Sequence, residues 1–335
     1  MRTCVVHIGT HKTGTTSLQM ALSRHSADLQ RHNYLYPRTG RPPGAADGHH
    51  NIAWEISGDR RFRPEYGAAA DLLAEVRDSH QDVILSSEDF ECSVPDPGGF
   101  EAFVRLLRAN HFAIRVIVYL RNQVDYARSL YQTMLPFGVP DSFSAFLGKI
   151  LEDGRFCWQE WVFPFCYRSL LTPLEALEDV TVDVRSYDKL AHGAVIGDYL
   201  SVLRLDPAAL EIDESIRANA RAAPLDSVRW FCENGRGAPL DRIEQHIVAC
   251  LCESMGPGPL RISDVSRLRI ADRFRESNAY VRKRYGVQLT NGEESVAKVG
   301  GIDETPQMEA IFSEYFRRSV DRLADLFRGQ VLNRA

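Results

Sequence analysis

Residues 5–19, VVHIGTHKTGTTSLQ, decide how the rest of the chain is read. A β-branched apolar run ends at Gly9, a loop follows to Gly14, and Leu18, Ala21, Leu22 and Leu29 then recur at roughly helical spacing. Strand, glycine turn, helix is an arrangement that presents backbone N–H groups and a helix N-terminus to an anion. Thr13, Thr15, Thr16 and Ser17 add hydroxyls to the same cradle. The spacing GxxxxG followed by two threonines is that of a phosphate-binding loop, but the lysine stands at position 12. In ATP and GTP loops the lysine directly follows the last glycine and reaches the β- and γ-phosphates, and the next hydroxyl holds Mg²⁺. Thr15 occupies that place here. Lys12 lies on the loop itself, over the first phosphate and whatever leaves from it.

Outward from this stretch, helical and β-branched segments alternate. YGAAADLLAEVRDS reads as helix and DVILSSED as a strand with an acidic C-terminal end. The helical GGFEAFVRLLRAN leads into AIRVIVYLR, the most β-branched run in the chain, and NQVDYARSLYQTM follows as helix. The implied fold class is α/β, a P-loop-type central parallel sheet flanked by helices. Ligands in such sheets gather at the C-terminal strand ends, here Gly9 to Gly14, Ser86 to Asp89 and Arg121. Residues 37–49 read as loop by their proline and glycine content. After residue 140 the pattern becomes largely helical, with one more strand expected in VTVDVRSY at 180–187 and a long helical tail from about 263.

The 335 residues, 44% hydrophobic and 25% charged, suffice to bury the core of one large or two smaller α/β domains. A net charge of -5 gives no overall basic field, so no nucleic-acid partner is expected. Seven scattered cysteines show no Cys-x-x-Cys spacing, and reduced, mostly buried thiols are expected rather than a metal site. No run approaches the ~20 apolar residues of a transmembrane segment. The motif begins within nine residues of Met1, leaving no room for a signal peptide, so a cytoplasmic location is the expectation.

A lysine on the loop suits transfer of a sulfuryl group. That group carries less charge than a terminal phosphoryl, so one lysine and the backbone dipoles can stabilise the departing phosphate without a divalent metal. With HKTGTTSLQ and VIVYLRNQVDYARSLYQ in view, the chain resembles the sulfotransferases that use 3′-phosphoadenosine 5′-phosphosulfate (PAPS). HKTGTTSLQ resembles their 5′-phosphosulfate loop, which implies donor contacts from His11, Lys12, Thr13, Gly14, Thr15, Thr16 and Ser17. VIVYLRNQVDYARSLYQ resembles their strand-Arg-Ser motif, in which Arg121 and Ser129 match the residues that grip the 3′-phosphate. GTHKTGTTSLQ through LYP at 35–37 is most similar to the bacterial members, and VDVRSYDKL resembles their late strand and turn. The likeness covers most of residues 1–205 and thins afterwards. It implies one sulfotransferase-like domain over 1–335, with 205–335 a helical extension of it.

The resemblance also implies a general base, a histidine or glutamate, often at a strand end between the two nucleotide motifs. Glu88, in ILSSEDF, is in that place, and a carboxylate partly withdrawn from water has its pKa raised toward a useful value. The competing reading of Glu88 is an acidic helix cap or strand-end ion pair. His50 and then His49, in GHHNIAW, are the next candidates, because imidazole needs less tuning near neutral pH. The glycine-rich basic C-terminal motif of the animal cytosolic enzymes has no counterpart. NAYVRKRYG, with Arg282 and Arg284, is nearest, and it reads better as a solvated helix face. The aromatics of CWQEWVFPFCY, 157–167, read mainly as core, and DRRFR, 59–63, as solvated loop.

The expected reaction is sulfuryl transfer from PAPS, with no metal, to a hydroxyl or amine of a small-molecule, carbohydrate or lipid acceptor. Two alternatives stand beside it: a P-loop kinase or nucleotide-binding protein using ATP with Mg²⁺, and a non-catalytic nucleotide-binding scaffold.

Overall fold

A computed structural model describes residues 1–44, 47–94, 97–134, 143–190, 194–207 and 262–289. The N-terminal apolar run is strand β1 (Arg2–Gly9), and it lies in the middle of the sheet because it is apolar on both sides. β2 (Tyr34–Leu35), β3 (Asp82–Ser86), β4 (Phe112–Leu120) and a last strand at Val180–Ser186 complete a five-stranded sheet. With β5 (Arg155–Trp158) and β6 (Trp161–Pro164) intervening in the chain, that last strand is β7. The order is β2-β3-β1-β4-β7, and every neighbouring pair is parallel.

Alternation along β1 sends Cys4, Val6 and Ile8 into one core and Val5 into the other. On the first face these pack with Val83, Leu85, Val116 and Val118 under α3 (His50–Ser57), α4 (Ala69–Val76), α5 (Phe90–Ser93), α6 (Pro97–Ala109) and, further along the chain, α9 (Tyr167–Glu175). On the second face Val5, Ile84, Ile117 and Tyr119 meet α1 (Thr15–Arg24), α2 (Ser26–Arg31) and α10 (Val195–Val202). Each fully buried aliphatic side chain in these layers contributes about 1.5–3 kcal/mol. Among the described residues the remaining α-helices are α7 (Gln123–Met134), α8 (Phe143–Asp153) and α11 (Asp264–Tyr285).

The chain divides into two compact units. One holds Met1–Tyr126, Gly154–Ala220 and Arg273–Thr290, and the other holds Ala127–Asp153, Arg221–Asp272 and Asn291–Ala335. The sheet and both cores belong to the first. Of the helical extension expected from 205 onward, only 205–207 and 262–289 are among the described residues.

Three local expectations are corrected. The helix read through residues 16–32 breaks at His25, whose backbone leaves helical geometry (φ -98°, ψ 22°) and whose ring meets Asp28. His50, read as loop, opens α3. CWQEWVFPFCY, within the stretch read as largely helical, contributes to the antiparallel hairpin β5–β6, turning at Gln159 (φ 55°) between the paired Trp158 and Trp161, while its Phe163, Phe165 and Tyr167 are buried as core. Among the described cysteines Cys4 is buried, Cys92 and Cys166 are half-buried, and Cys157 is exposed, which departs from the expectation of mostly buried thiols. Among the described residues no helix is long and apolar enough to cross a membrane.

Candidate functional site

The loop from Gly9 to Gly14 leaves the central strand and is tied to its neighbour. Thr10 donates both its backbone N–H (3.2 Å) and its hydroxyl (3.0 Å) to the Tyr119 carbonyl at the end of β4. Thr13 donates its hydroxyl to the Thr10 carbonyl at 2.6 Å, so that hydroxyl braces the loop rather than facing outward. Close packing explains the glycines. A Cβ on Gly9 would sit 2.4 Å from the Thr15 methyl. Gly14 has φ 79° and caps α1 with its Cα against Val195 and the Tyr187 ring. Beyond it the first turn of α1, with Thr15, Thr16 and Ser17, presents its backbone N–H groups at the strand ends.

Lys12 is half-buried with its backbone in the left-handed region (φ 69°), and its amine makes no hydrogen bond or ion pair among the described residues. Burial, and then the nearby Arg121 guanidinium, press its pKa below the ordinary lysine value. Arg121 follows β4 and donates to the Lys12 carbonyl at 3.0 Å, with its guanidinium carbon 5.5 Å from the centre of the Tyr187 ring. Its Nε is buried without a hydrogen bond, 3.9 Å from Asp188. Two cations therefore stand together over a ready-made cradle of amides, a site for an anion of more than one charge.

Beside this cradle β3 ends in Ser86, and Ser87, Glu88 and Asp89 follow before α5. Glu88 is half-buried and accepts the Gln19 amide N–H at 2.8 Å. Burial pushes its carboxyl up, but the imidazoles of His50 and His11 outweigh this and bring it below its ordinary value. His50 Nδ1 meets Asp89 Oδ2 at 3.1 Å and Ser87 Oγ at 2.9 Å. Its Nε2 makes no hydrogen bond among the described residues and crowds Gly48, where a Cβ would be 2.5 Å from Nε2 and 2.8 Å from Gln19 Cδ. Burial lowers the pKa of His50, yet Glu88 and then Asp89 leave it raised overall.

His49 is removed from the list of bases. It is fully buried, donates Nε2–H to the Pro37 carbonyl at 3.1 Å and accepts the Ser86 N–H on Nδ1 at 3.2 Å. Both nitrogens are spent, and burial, followed by Arg41, lowers its pKa to about 3. His11 is likewise turned away from the cradle. Its backbone N–H donates to Glu91 Oε1 at 3.2 Å, its Nδ1 also meets Glu91, and its Nε2 lies 3.5 Å from Asp89. Burial works against the charge, but the Glu91 and Asp89 carboxylates raise the pKa to about 10. Glu91 is itself buried on α5 and accepts the Tyr126 hydroxyl at 3.2 Å. The side chain of His11 thus anchors the loop instead of contacting a donor.

A further group escaped the sequence reading. Arg61, in the segment read as solvated, has its guanidinium 4.6 Å from the ring centres of both Trp54 and Trp161. It is bound through Nε and NH2 to Asp59, and it lies 3.5 Å from Asp89. Asp89, Gln19, Gly48 and Tyr187 were also missed as site residues. Only Asp89 had a visible signal, the acidic end of DVILSSED. The other contacts join segments distant in sequence.

The fold is that of an α/β protein with a parallel sheet, and Lys12, Arg121, Glu88 and His50 lie on the loop and segments at the C-terminal ends of its strands or next to them. No known family matches the chain, and no curated protein matches it. Ser129, which the sequence motif pairs with Arg121, lies in the second turn of α7, within the second unit.

Proposed function

We propose that this chain is a PAPS-dependent sulfotransferase that passes a sulfuryl group to a hydroxyl or amine of a glycan, lipid or small molecule, with no metal required. The observation that supports the reading is geometric: Lys12 stands on the loop between β1 and α1, Arg121 at the end of β4 donates to its carbonyl at 3.0 Å, and Glu88, just past the end of β3, accepts from Gln19 of α1 at 2.8 Å. In this reading a cation for the leaving group and the candidate bases lie at the ends of neighbouring strands.

In this scheme the loop amides and Lys12 take the 5′-phosphosulfate, and the half-buried Arg121, whose buried Nε is short of a hydrogen bond, takes part of the remaining phosphate charge. The acceptor oxygen or nitrogen attacks sulfur in line as the bond from sulfur to the 5′-phosphate oxygen breaks. The acceptor proton passes to His50 Nε2, and the products are the sulfated acceptor and adenosine 3′,5′-bisphosphate. His50 is preferred to Glu88 as base because its Nδ1 is anchored and its Nε2 unengaged. Glu88, lowered in pKa and holding Gln19, suits the role of stabilising the imidazolium that forms.

The test is a melting experiment without metal. A ligand at ~100 times its Kd stabilises by roughly 2.7 kcal/mol. Adenosine 3′,5′-bisphosphate is expected to raise the Tm in the presence of a chelator. Stabilisation by ATP with Mg²⁺ alone would instead mark a kinase, and bisphosphate binding without turnover against any acceptor would mark a scaffold.

A further inference from the structure

Behind the proposed base runs a stack of four flat groups drawn from three parts of the chain. His50 lies on Trp54 with ring centres 5.9 Å apart and planes at 26°. Arg61 covers the indole of Trp54, and Trp161 of the β5–β6 hairpin lies against the same guanidinium, each ring centre 4.6 Å away. Two buried carboxylates run along its edge. Asp89 accepts from His50 Nδ1 at 3.1 Å and Trp54 Nε1 at 2.7 Å and lies 3.5 Å from Arg61. Asp59 accepts from Arg61 and, at 3.2 Å, from Trp161 Nε1. The hairpin turn is clasped to the same loop, since Arg60 Nε meets Glu160 at 2.8 Å.

Such an arrangement exceeds what packing requires. A guanidinium between two indoles is attracted to both ring faces, the more so when desolvated, and it is the one cationic side chain flat enough to fill the gap. Burial pushes the Asp89 carboxyl up, but hydrogen bonds from His11 and His50 hold it well below its ordinary value, so Asp89 acts as an acceptor toward His50 Nδ1–H, and Arg61 NH2 lies 3.5 Å from its other oxygen. A carboxylate on one imidazole nitrogen fixes the tautomer that leaves the other nitrogen with its lone pair.

We infer that Arg61 is a positioning residue for His50: clamped between Trp54 and Trp161, it holds the Asp89 carboxylate and the Trp54 ring against the imidazole, and so ties the base's tautomer and orientation to the seating of the β5–β6 hairpin. The assignment of His50 as base rests on the sulfotransferase reading; the coupling of Arg61 to its tautomer is testable without it.

The experiment uses the full chain with ¹⁵N-labelled histidine and tryptophan, observed on the alkaline side of the His50 titration, and adenosine 3′,5′-bisphosphate as the ligand. The wild-type spectrum is expected to show one His50 tautomer, protonated at Nδ1, and a slowly exchanging Trp54 indole N–H. In Arg61→Met and Trp161→Leu, His50 is expected to pass to a mixture of tautomers and the indole N–H to exchange at least tenfold faster. The bisphosphate-induced Tm shift should persist in both. Arg61→Lys keeps the charge without the flat face and should fall between them; it serves if the methionine variant does not fold. An unaltered His50 tautomer and indole exchange in the variants that fold overturns the inference. Loss of the Tm shift in the wild type would overturn the sulfotransferase reading and leave the His50 spectra to decide this one separately.

Discussion

Lys12 sits in backbone that costs an L-residue about 1–2 kcal/mol, at φ 69°, where glycine would sit freely. If the side chain were idle, Lys12→Gly would be a simple improvement. We expect Lys12→Ala and Lys12→Gly each to slow release of adenosine 3′,5′-bisphosphate from the donor by roughly 10²–10³-fold, the usual effect of removing one preorganised stabilising group. The glycine variant should melt no lower than the alanine one. Equal turnover in wild type and Lys12→Ala would refute the role. The identity of the base is a further question at this scale. His50 is raised above its ordinary value, so a rate that needs its neutral form should climb with pH from the ordinary histidine range upward. Glu88, lowered below its ordinary value, would give a rate already flat at pH 5. The pH profile of donor turnover separates them, and a flat profile would return the role to Glu88. Gly48→Ala places a methyl 2.5 Å from His50 Nε2. Turnover should fall at least tenfold while bisphosphate affinity stays within about threefold, as a displaced base with an intact donor site requires. Lys12 and Arg121 were legible in the sequence because a loop between strand and helix fixes where its backbone lies. The orientation of a ring was not. His11 lies next to Lys12 yet turns to Glu91 on α5, eighty positions along the chain, and only the folded sheet brings α5 there.

At the scale of elements, the short helix α5 holds the phosphate loop in shape. Glu91 Oε1 takes the backbone N–H and Nδ1 of His11 and the Tyr126 hydroxyl, so one buried carboxylate joins β1's loop to α5 and to the start of α7. Removing one partner of a buried pair leaves the other charge uncompensated, at a cost of roughly 3–5 kcal/mol. Glu91→Ala should therefore lower the unfolding free energy measured in urea by an amount near the low end of that range, because Asp89 still faces His11. Glu91→Gln should cost less, yet still weaken bisphosphate binding. A variant with wild-type stability and affinity would show the loop to be held by its threonines alone. Element recognition from sequence followed the hydrophobic pattern. β1, β3 and β4 are largely apolar runs, β7 alternates valines with polar residues, and all four were expected within a few residues. The β5–β6 hairpin was missed although Phe156 and Trp158, and Trp161 and Phe163, alternate along it: each strand is only four residues long, and its turn has Gln159 rather than glycine in the left-handed conformation. Helix α3 was missed because it starts behind a proline- and glycine-rich segment with no side-chain cap to announce it.

For the first compact unit as a whole, the buried His7, His49 and His50 and the half-buried His11 set opposing demands on pH. His7 lies edge-on between Tyr119 and Tyr199, and burial lowers its pKa to about 4; His49 is lowered to about 3 by burial and Arg41. Both are neutral in the folded state while the unfolded chain takes up protons near pH 6.5. Their stabilisation is therefore fully present above about pH 6.5 and is lost progressively as pH falls toward 3. His11 works the other way. Its folded pKa, raised to about 10 by Glu91 and Asp89 against the effect of burial, means that its contribution is complete below about pH 6.5 and is lost as pH rises toward 10. The sum is a stability maximum near pH 6.5. Each proton bound differently by the two states contributes a slope of about 1.4 kcal/mol per pH unit; His7 and His49 set the acid limb, and His11, joined by His50, whose pKa is also raised, sets the limb above neutrality. Tm measured from pH 4 to 9 should trace this dome. His11→Gln should flatten the limb between pH 7 and 9 and leave the acid limb in place, whereas a Tm that keeps rising through pH 9 in the wild type would mean that His11 is neutral and that Glu91, not the imidazole, carries the shared proton.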